Sequence, residues 1–199
     1  MLTVFQLQLL VLFGLLAAGG NLFGGWLIAR AAADLVVEGE TIFLGSGTTV
    51  LEVAHALRSR RHLTVITNSL LVLTAFADVP AITLIGLGGG LNRSAMSFTG
   101  HIAAQALSEL RTTKAIYSIR GVDTEFGLTN DDLQETMVDR LILNVAREVI
   151  ICADHTKCGR VAAAVVAPLT AVHTLVTDPQ ASPEFVAGAR AQGVRVIVA

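Results

Sequence analysis

"TIFLGSGTTVLEVAHAL", residues 41–57, decides the fold. Its apolar start does not alternate, which predicts a strand buried on both faces of a sheet over 41–45. Residues 47–58 then place Val50, Val53, Ala54 and Leu57 on one helical face. Between strand and helix stand two glycines and three hydroxyls, Gly45-Ser46-Gly47-Thr48-Thr49. Small residues let a ligand approach the backbone, and the first amides of a helix have no partners within it. Such a place suits an anion, above all a phosphate. The plainer reading is a tight turn with Ser46 as N-cap.

The same alternation runs outward from this unit. IARAAADLV (28–36) reads as a short helix stopped near Glu38-Gly39, LTVIT (63–67) as a strand, LLVLTAFAD (70–78) as a helix and AITLIG (81–86) as a strand. The strand runs into GLGGGLNRSA, expected to be flexible. Residues 99–110 suit a helix with Ile102, Ala106 and Leu110 inward, followed by a strand at KAIYSI (114–119). A polar loop, RGVDTEFGLTNDD (120–132), precedes a helix over about 132–147 whose Glu135, Asp139 and Arg140 are expected mostly on its wet face. EVIICAD (148–154), HTLVTD (173–178) and VRVIVA (194–199) complete the strands, with a helix over Ser182–Gln192. This spacing predicts an α/β, Rossmann-like fold, a mostly parallel sheet with helices on both faces.

Composition narrows the function. The chain has 199 residues, 53% hydrophobic and 15% charged, with a formal charge of −2, so it has a sizeable core and no basic stripe for a nucleic-acid backbone. Cys152 and Cys158 are too few for a disulfide framework and fit a reducing cytoplasm. Residues 1–27 are uncharged and apolar, distinct from residues 28–199, and no further boundary divides the latter. Gln6, Gln8 and the glycine pairs at 19–20 and 24–25 weaken a membrane span, favouring a hairpin or broken helix packed on protein; membrane contact through residues 1–27 stays an alternative.

In a parallel sheet, ligands collect outside the carboxyl ends of the strands. There the sequence places Gly45–Thr49, Thr67-Asn68-Ser69, Gly88-Gly89-Gly90, Arg120-Gly121-Val122-Asp123 and Asp154-His155-Thr156-Lys157. Small and hydrogen-bonding residues with two cations make a pocket for a small, hydroxyl-rich, anionic molecule. Arg93, after the glycines, is a candidate ligand clamp or a solvated loop charge.

TIFLGSGTT, VITNSL, LGGGLNRSAMSFTG, GVDTEFGLT and AREVIICADHTKCGR, in that order, resemble the effector-sensing domain of DeoR-type bacterial transcriptional regulators, and the likeness continues through VAPLTAVHTLVTD to QGVRVIVA. It covers about residues 28–199. The resemblance implies a fold similar to ribose-5-phosphate isomerase and binding of a phosphorylated sugar or related metabolite that controls DNA binding. Gly47, Thr48 and Thr49 match the phosphate loop, Thr67, Asn68 and Ser69 a second ligand loop, Asp123 the Gly-hydrophobic-Asp segment, and Lys157 the lysine after the fifth strand. Such domains act as oligomers, so a homo-oligomer is expected. Gly45 departs from relatives that carry an acid, and Arg120 from relatives with something small; it either adds a phosphate contact or fills part of the pocket. The family's winged helix-turn-helix has no counterpart in residues 1–27, which are too short and uncharged, so no direct DNA contact by this chain is expected.

The rival reading is an aldose–ketose isomerase using Asp123, Glu125 and Lys157. Phe126-Gly127 stands where the isomerase pattern has a longer acidic run, and its Lys-Gly-Gly loop has no clear counterpart, so no catalysis is expected. A membrane-tethered sensor is the other alternative. Cys152, His155 and Cys158, spaced in threes, lack a fourth ligand and converging geometry, so neither metal nor cofactor is expected. The other histidines form no nucleophilic triad. The strand-end loops decide the opening stretch: they supply partners that a mere turn does not need, and residues 45–49 read as a phosphate cradle.

Overall fold

A computed structural model describes residues 22–199. The expected alternatives for residues 1–21, including the glycine pair at 19–20, lie outside the described residues. Helix α1 spans Leu22–Ala33 and crosses the expected boundary at 27/28. The pair Gly24-Gly25 does not break it: a Cβ on Gly25 would meet the Thr49 hydroxyl at 3.9 Å, so the bare backbone lies close to the next helix. No helix among the described residues is long and apolar enough to cross a membrane.

The chain continues through β1 (Thr41–Leu44), α2 (Thr48–Leu57), β2 (Leu63–Thr67), α3 (Leu70–Phe76) and β3 (Ile82–Gly86). Then come β4 (Gly90–Asn92), β5 (Ser97–Thr99), α4 (His101–Ser108), β6 (Thr112–Tyr117), β7 (Gly121–Asp123) and β8 (Gly127–Asn130). Last are α5 (Leu133–Val145), β9 (Ala146–Cys152), β10 (Ala164–Ala167), β11 (Thr174–Thr177), α6 (Pro183–Ala191) and β12 (Arg195–Val198).

Seven strands form one parallel sheet in the order β12-β11-β9-β6-β1-β2-β3. Successive residues of β1 serve opposite faces, as period-two geometry requires. Ile42 and Leu44 pack with Val65, Ile116 and Ile150 beneath α1, α2 and α3, while Phe43 packs with Tyr117, Val149, Ile151 and Leu175 beneath α4, α5 and α6. From β1 the chain steps through β2 to β3, then returns to β1's other side and steps outward through β6, β9, β11 and β12. The order therefore reverses between β1 and β6, where doubly wound sheets open a crevice at the strand ends.

Several expectations are corrected. The segment expected to be flexible folds into the β4–β5 hairpin, and the polar loop contributes β7 and β8 to an antiparallel sheet of order β10-β8-β7. In α4, Ala103 and Leu107 are buried and Ile102 is 54% exposed, while Ala106 and Leu110 pack against the core as expected, partly buried. The helix starts two residues later than expected, and small Ala103 faces Gly89 across the hairpin. In α5, Glu135 and Asp139 turn toward protein, accepting from the Ser97 hydroxyl at 2.9 Å and the Asn130 amide at 2.7 Å. Leu133 and Met137, four residues apart on one helical face, are exposed instead.

Candidate functional site

Side-chain oxygens of Ser69, Asp132 and Ser182 cap α3, α5 and α6. Helices α2 and α4 differ: each has a glycine at its N-cap, Gly47 rather than Ser46 in α2 and Gly100 in α4, and no side chain closes the end. The Leu51 N–H donates to the Gly47 carbonyl at 3.0 Å, leaving the amides of Thr48, Thr49 and Val50 without a partner inside the helix. Gly47 has φ +112°, a conformation that disfavours any side chain, and its missing Cβ would lie 3.4 Å from Ser118. Ser46 is half-buried, Thr48 exposed, and Thr49 turned inward. Gly45 is buried; a Cβ there would stand 2.6 Å from the Cβ of Tyr117.

Ser118, just past β6, links this loop to Lys157: the ammonium donates to its hydroxyl at 2.7 Å. Burial holds the Lys157 pKa below the ordinary lysine value; nearby Asp154 opposes that, while Arg120 and Arg160 add to it. The lysine's backbone is clamped to β7, with Val122 N–H donating to the Lys157 carbonyl at 2.9 Å and Gly159 N–H to the Val122 carbonyl at 2.7 Å. The neighbouring turn hangs on Asp178 at the end of β11. Its carboxylate accepts from the His155 backbone N–H at 3.0 Å and lies 3.0 Å from the ring Nδ1. Burial would raise the Asp178 pKa, but these bonds and one from the Gln180 N–H hold it below the usual carboxylate range.

The other candidates have uses of their own. Thr67 is buried and donates to the Leu44 carbonyl at 2.6 Å while accepting from the Ser69 N–H at 3.0 Å. Ser69 caps α3 through the Val72 N–H. Asn68 donates to the Phe98 carbonyl at 3.3 Å, and its Oδ1 is buried with no partner among the described residues. Gly89, at φ +129°, permits a close approach: a Cβ would lie 2.6 Å from the Thr99 carbonyl oxygen. Asp123 closes the β7–β8 turn, one oxygen accepting from the N–H groups of Glu125 at 2.8 Å and Phe126 at 2.9 Å. Arg120 is exposed on the loop after β6. Arg93 is exposed on the β4–β5 turn, and no hydrogen bond or ion pair among the described residues joins it to the other candidates.

Burial pushes the Cys152 thiol up to about 12 and the Cys158 thiol up to about 11. Among the described residues no group of three His, Cys, Asp or Glu is placed to hold a metal. A groove of about 540 Å³ lies between α1 and α2, bordered by Trp26, Arg30, Glu52 and His55. It uses α2's outward face, opposite Val53, Ala54 and Leu57, and contains none of the strand-end residues.

Sequence reasoning missed Ser118, Asp178 and the Asn130–Asp139 pair. Ser118 and Asp178 each directly follow a strand of the parallel sheet, the position that flagged the other loops. Nothing in the local pattern distinguished Asp139 from a solvated helix acid.

Residues 26–179 match the family model described as the DeoR C terminal sensor domain. The chain is 32% identical over 158 residues to the HTH-type transcriptional regulator IolR of Bacillus subtilis, covering 79% of this chain and 63% of that protein. It is 31% identical over 151 residues to the glycerol-3-phosphate regulon repressor of Escherichia coli, covering 76% of this chain and 60% of the repressor. The chain thus spans less than two thirds of the length of these relatives. Among solved structures, eIF2B delta from Chaetomium thermophilum aligns at a TM-score of 0.50 and 14% identity, covering 76% of this chain and 54% of that one. Ribose 5-phosphate isomerase A from Methanocaldococcus jannaschii aligns at 0.49 and 18% identity, covering 67% of this chain and 52% of the isomerase. The likeness to eIF2B delta is one of fold.

Proposed function

Since the chain belongs to the family of DeoR C-terminal sensor domains, we propose that it senses a phosphorylated sugar or polyol for a transcriptional regulator of carbohydrate metabolism. The proposed sensing unit is residues 28–199, working in the cytoplasm. It is a sensor domain and not an enzyme. The observation that carries the ligand reading is the uncapped start of α2 at the β1/β6 reversal, joined through Ser118 to the Lys157 ammonium.

The backbone amides of Thr48 and Thr49 and the hydroxyls of Ser46 and Thr48 supply donors for phosphate oxygens, and the helix dipole favours the same charge. Lys157 adds a point charge whose burial strengthens its attraction to an anion. The sugar hydroxyls then fall to the loop after β2 and the β7–β8 turn, with Asn68 and Asp123 as the acceptors proposed for them. The oxygen of Asp123 that does not close its turn is the one available for this role. Exposed Leu133, Met137 and Ile102 supply apolar area for the proposed homo-oligomer.

Calorimetry against a panel of sugar and polyol phosphates tests the reading. A charge-assisted contact is worth about 1.5–3 kcal/mol, so Lys157→Ala should weaken binding roughly tenfold or more. Thr48→Ala should weaken it in the same direction with the fold intact. Unchanged affinity in both variants, or binding only of unphosphorylated compounds, would refute it.

A further inference from the structure

The outward face of α5 is apolar where a solvated helix is polar. Leu133 is 73% and Met137 52% exposed, and half-buried Leu141 continues their row at spacings of four. The row is widened on both sides. Arg140 reaches across to β10, its Nε donating to the Val165 carbonyl at 3.2 Å, and Val165 is itself 53% exposed. On the other side the Thr99 hydroxyl lies 3.5 Å from the Gln134 side-chain oxygen, which sets the start of α4, with exposed Ile102, beside the start of α5. Three elements thus contribute exposed apolar side chains to one face.

Charge along the same helix runs from acidic to basic. Asp131, Asp132 and Glu135 stand at its start, with Arg160 on Asp131 at 3.5 Å and Arg93 next to Asn92, which donates to Asp132 at 3.3 Å. The acids there outnumber the arginines. Asp139, in the middle, is turned inward to Asn130. At the other end stand exposed Arg140 and Arg147, while Glu148 is drawn to Lys114 at 3.9 Å. A face with an acidic end, an apolar middle and a basic end complements a copy of itself turned about a two-fold axis through its middle.

We propose that this face binds a second copy of the chain, with the two α5 helices antiparallel and Met137 at the two-fold axis. Leu133 of each helix then meets Leu141 of the other, and the acidic start of one lies beside Arg140 and Arg147 of the other. This deepens the homo-oligomer proposed above and rests on it, not on the phosphate reading. Sedimentation velocity and cysteine cross-linking of the full chain test it. Wild type should sediment as a dimer or a multiple of one, and Met137→Lys should weaken the association about tenfold or more with its circular dichroism unchanged. Under mild oxidation Met137→Cys should form an intermolecular disulfide, beyond any that wild type forms through Cys152 or Cys158, because its two copies face each other across the axis. Leu133→Cys should form none, since an antiparallel pair sets its copies apart by the length from 133 to 141, about 12 Å along the helices. A monomeric wild type would overturn this inference and the homo-oligomer while leaving the ligand reading intact. An oligomer that Met137→Lys leaves unchanged, no cross-link at Met137→Cys, or a cross-link at Leu133→Cys as well would overturn this arrangement alone.

Discussion

Replacing Asp139 with asparagine should stabilise the protein, and more so as pH rises. The carboxylate is half-buried on α5 and accepts from Asn130 at 2.7 Å. Burial, with Glu135 and Asp132 nearby, pushes it from 3.8 up to about 7, the Asn130 bond opposing. Because the folded value is the higher one, the folded state binds more protons between the two values. The stability this contributes is fully present below about 4 and lost as pH rises to about 7. At about 1.4 kcal/mol per tenfold change in proton affinity, the full loss is at most about 4 kcal/mol. Asparagine keeps an oxygen for Asn130 and has no charge to desolvate. Urea unfolding of both proteins should show a small advantage for Asp139→Asn at pH 5, wider by up to about 3 kcal/mol at pH 8. In a chain of this size each kcal/mol corresponds to roughly 2–4 °C in Tm. An advantage that does not widen with pH, or a variant less stable at pH 8, would refute the reasoning.

Leu107→Ala should cost about 2–5 kcal/mol, because its side chain is fully buried, whereas Ile102→Ala should stay within about 0.5 kcal/mol in the monomer; reversed costs by denaturation would return α4 to the face expected from sequence. Gly45→Ala should destabilise by about 1–3 kcal/mol, since its Cβ would stand 2.6 Å from that of Tyr117; a neutral result in thermal melts would mean that the β1 end yields freely. With a formal charge of −2 and no basic stripe, this chain alone should form no sequence-specific complex with DNA in fluorescence anisotropy at physiological salt; tight binding to a defined operator would contradict that.

The parallel sheet was legible because its strands are continuous apolar runs, and LTVIT was bounded to the residue. The short antiparallel strands were not. Gly121–Asp123 carries three residues and no usable period, and its partner β8 pairs on its other side with β10, more than thirty residues further along the chain. In α4 an isoleucine outranked an alanine on hydrophobicity, yet the tight approach to Gly89 has room only for the alanine. In α5 the charges of Glu135 and Asp139 suggested water, while Ser97, from a distant segment, and Asn130, at the end of the preceding strand, supply the partners that draw them inward. For the candidate site, strand-end position identified the loops, but only three-dimensional structure separates groups with open polar capacity from those already spent. Thr67 and Ser69 hold backbone and Lys157 reaches Ser118, distinctions that residue type alone does not make.

The central claim concerns where a phosphate sits. A crystal structure of the full chain with a bound sugar or polyol phosphate tests it most directly. The account predicts the phosphate at the start of α2, within hydrogen-bond distance of the Thr48 and Thr49 amides, with the Lys157 ammonium on one of its oxygens. A phosphate in the groove between α1 and α2, or anywhere that leaves those amides and Lys157 without it, would contradict the account.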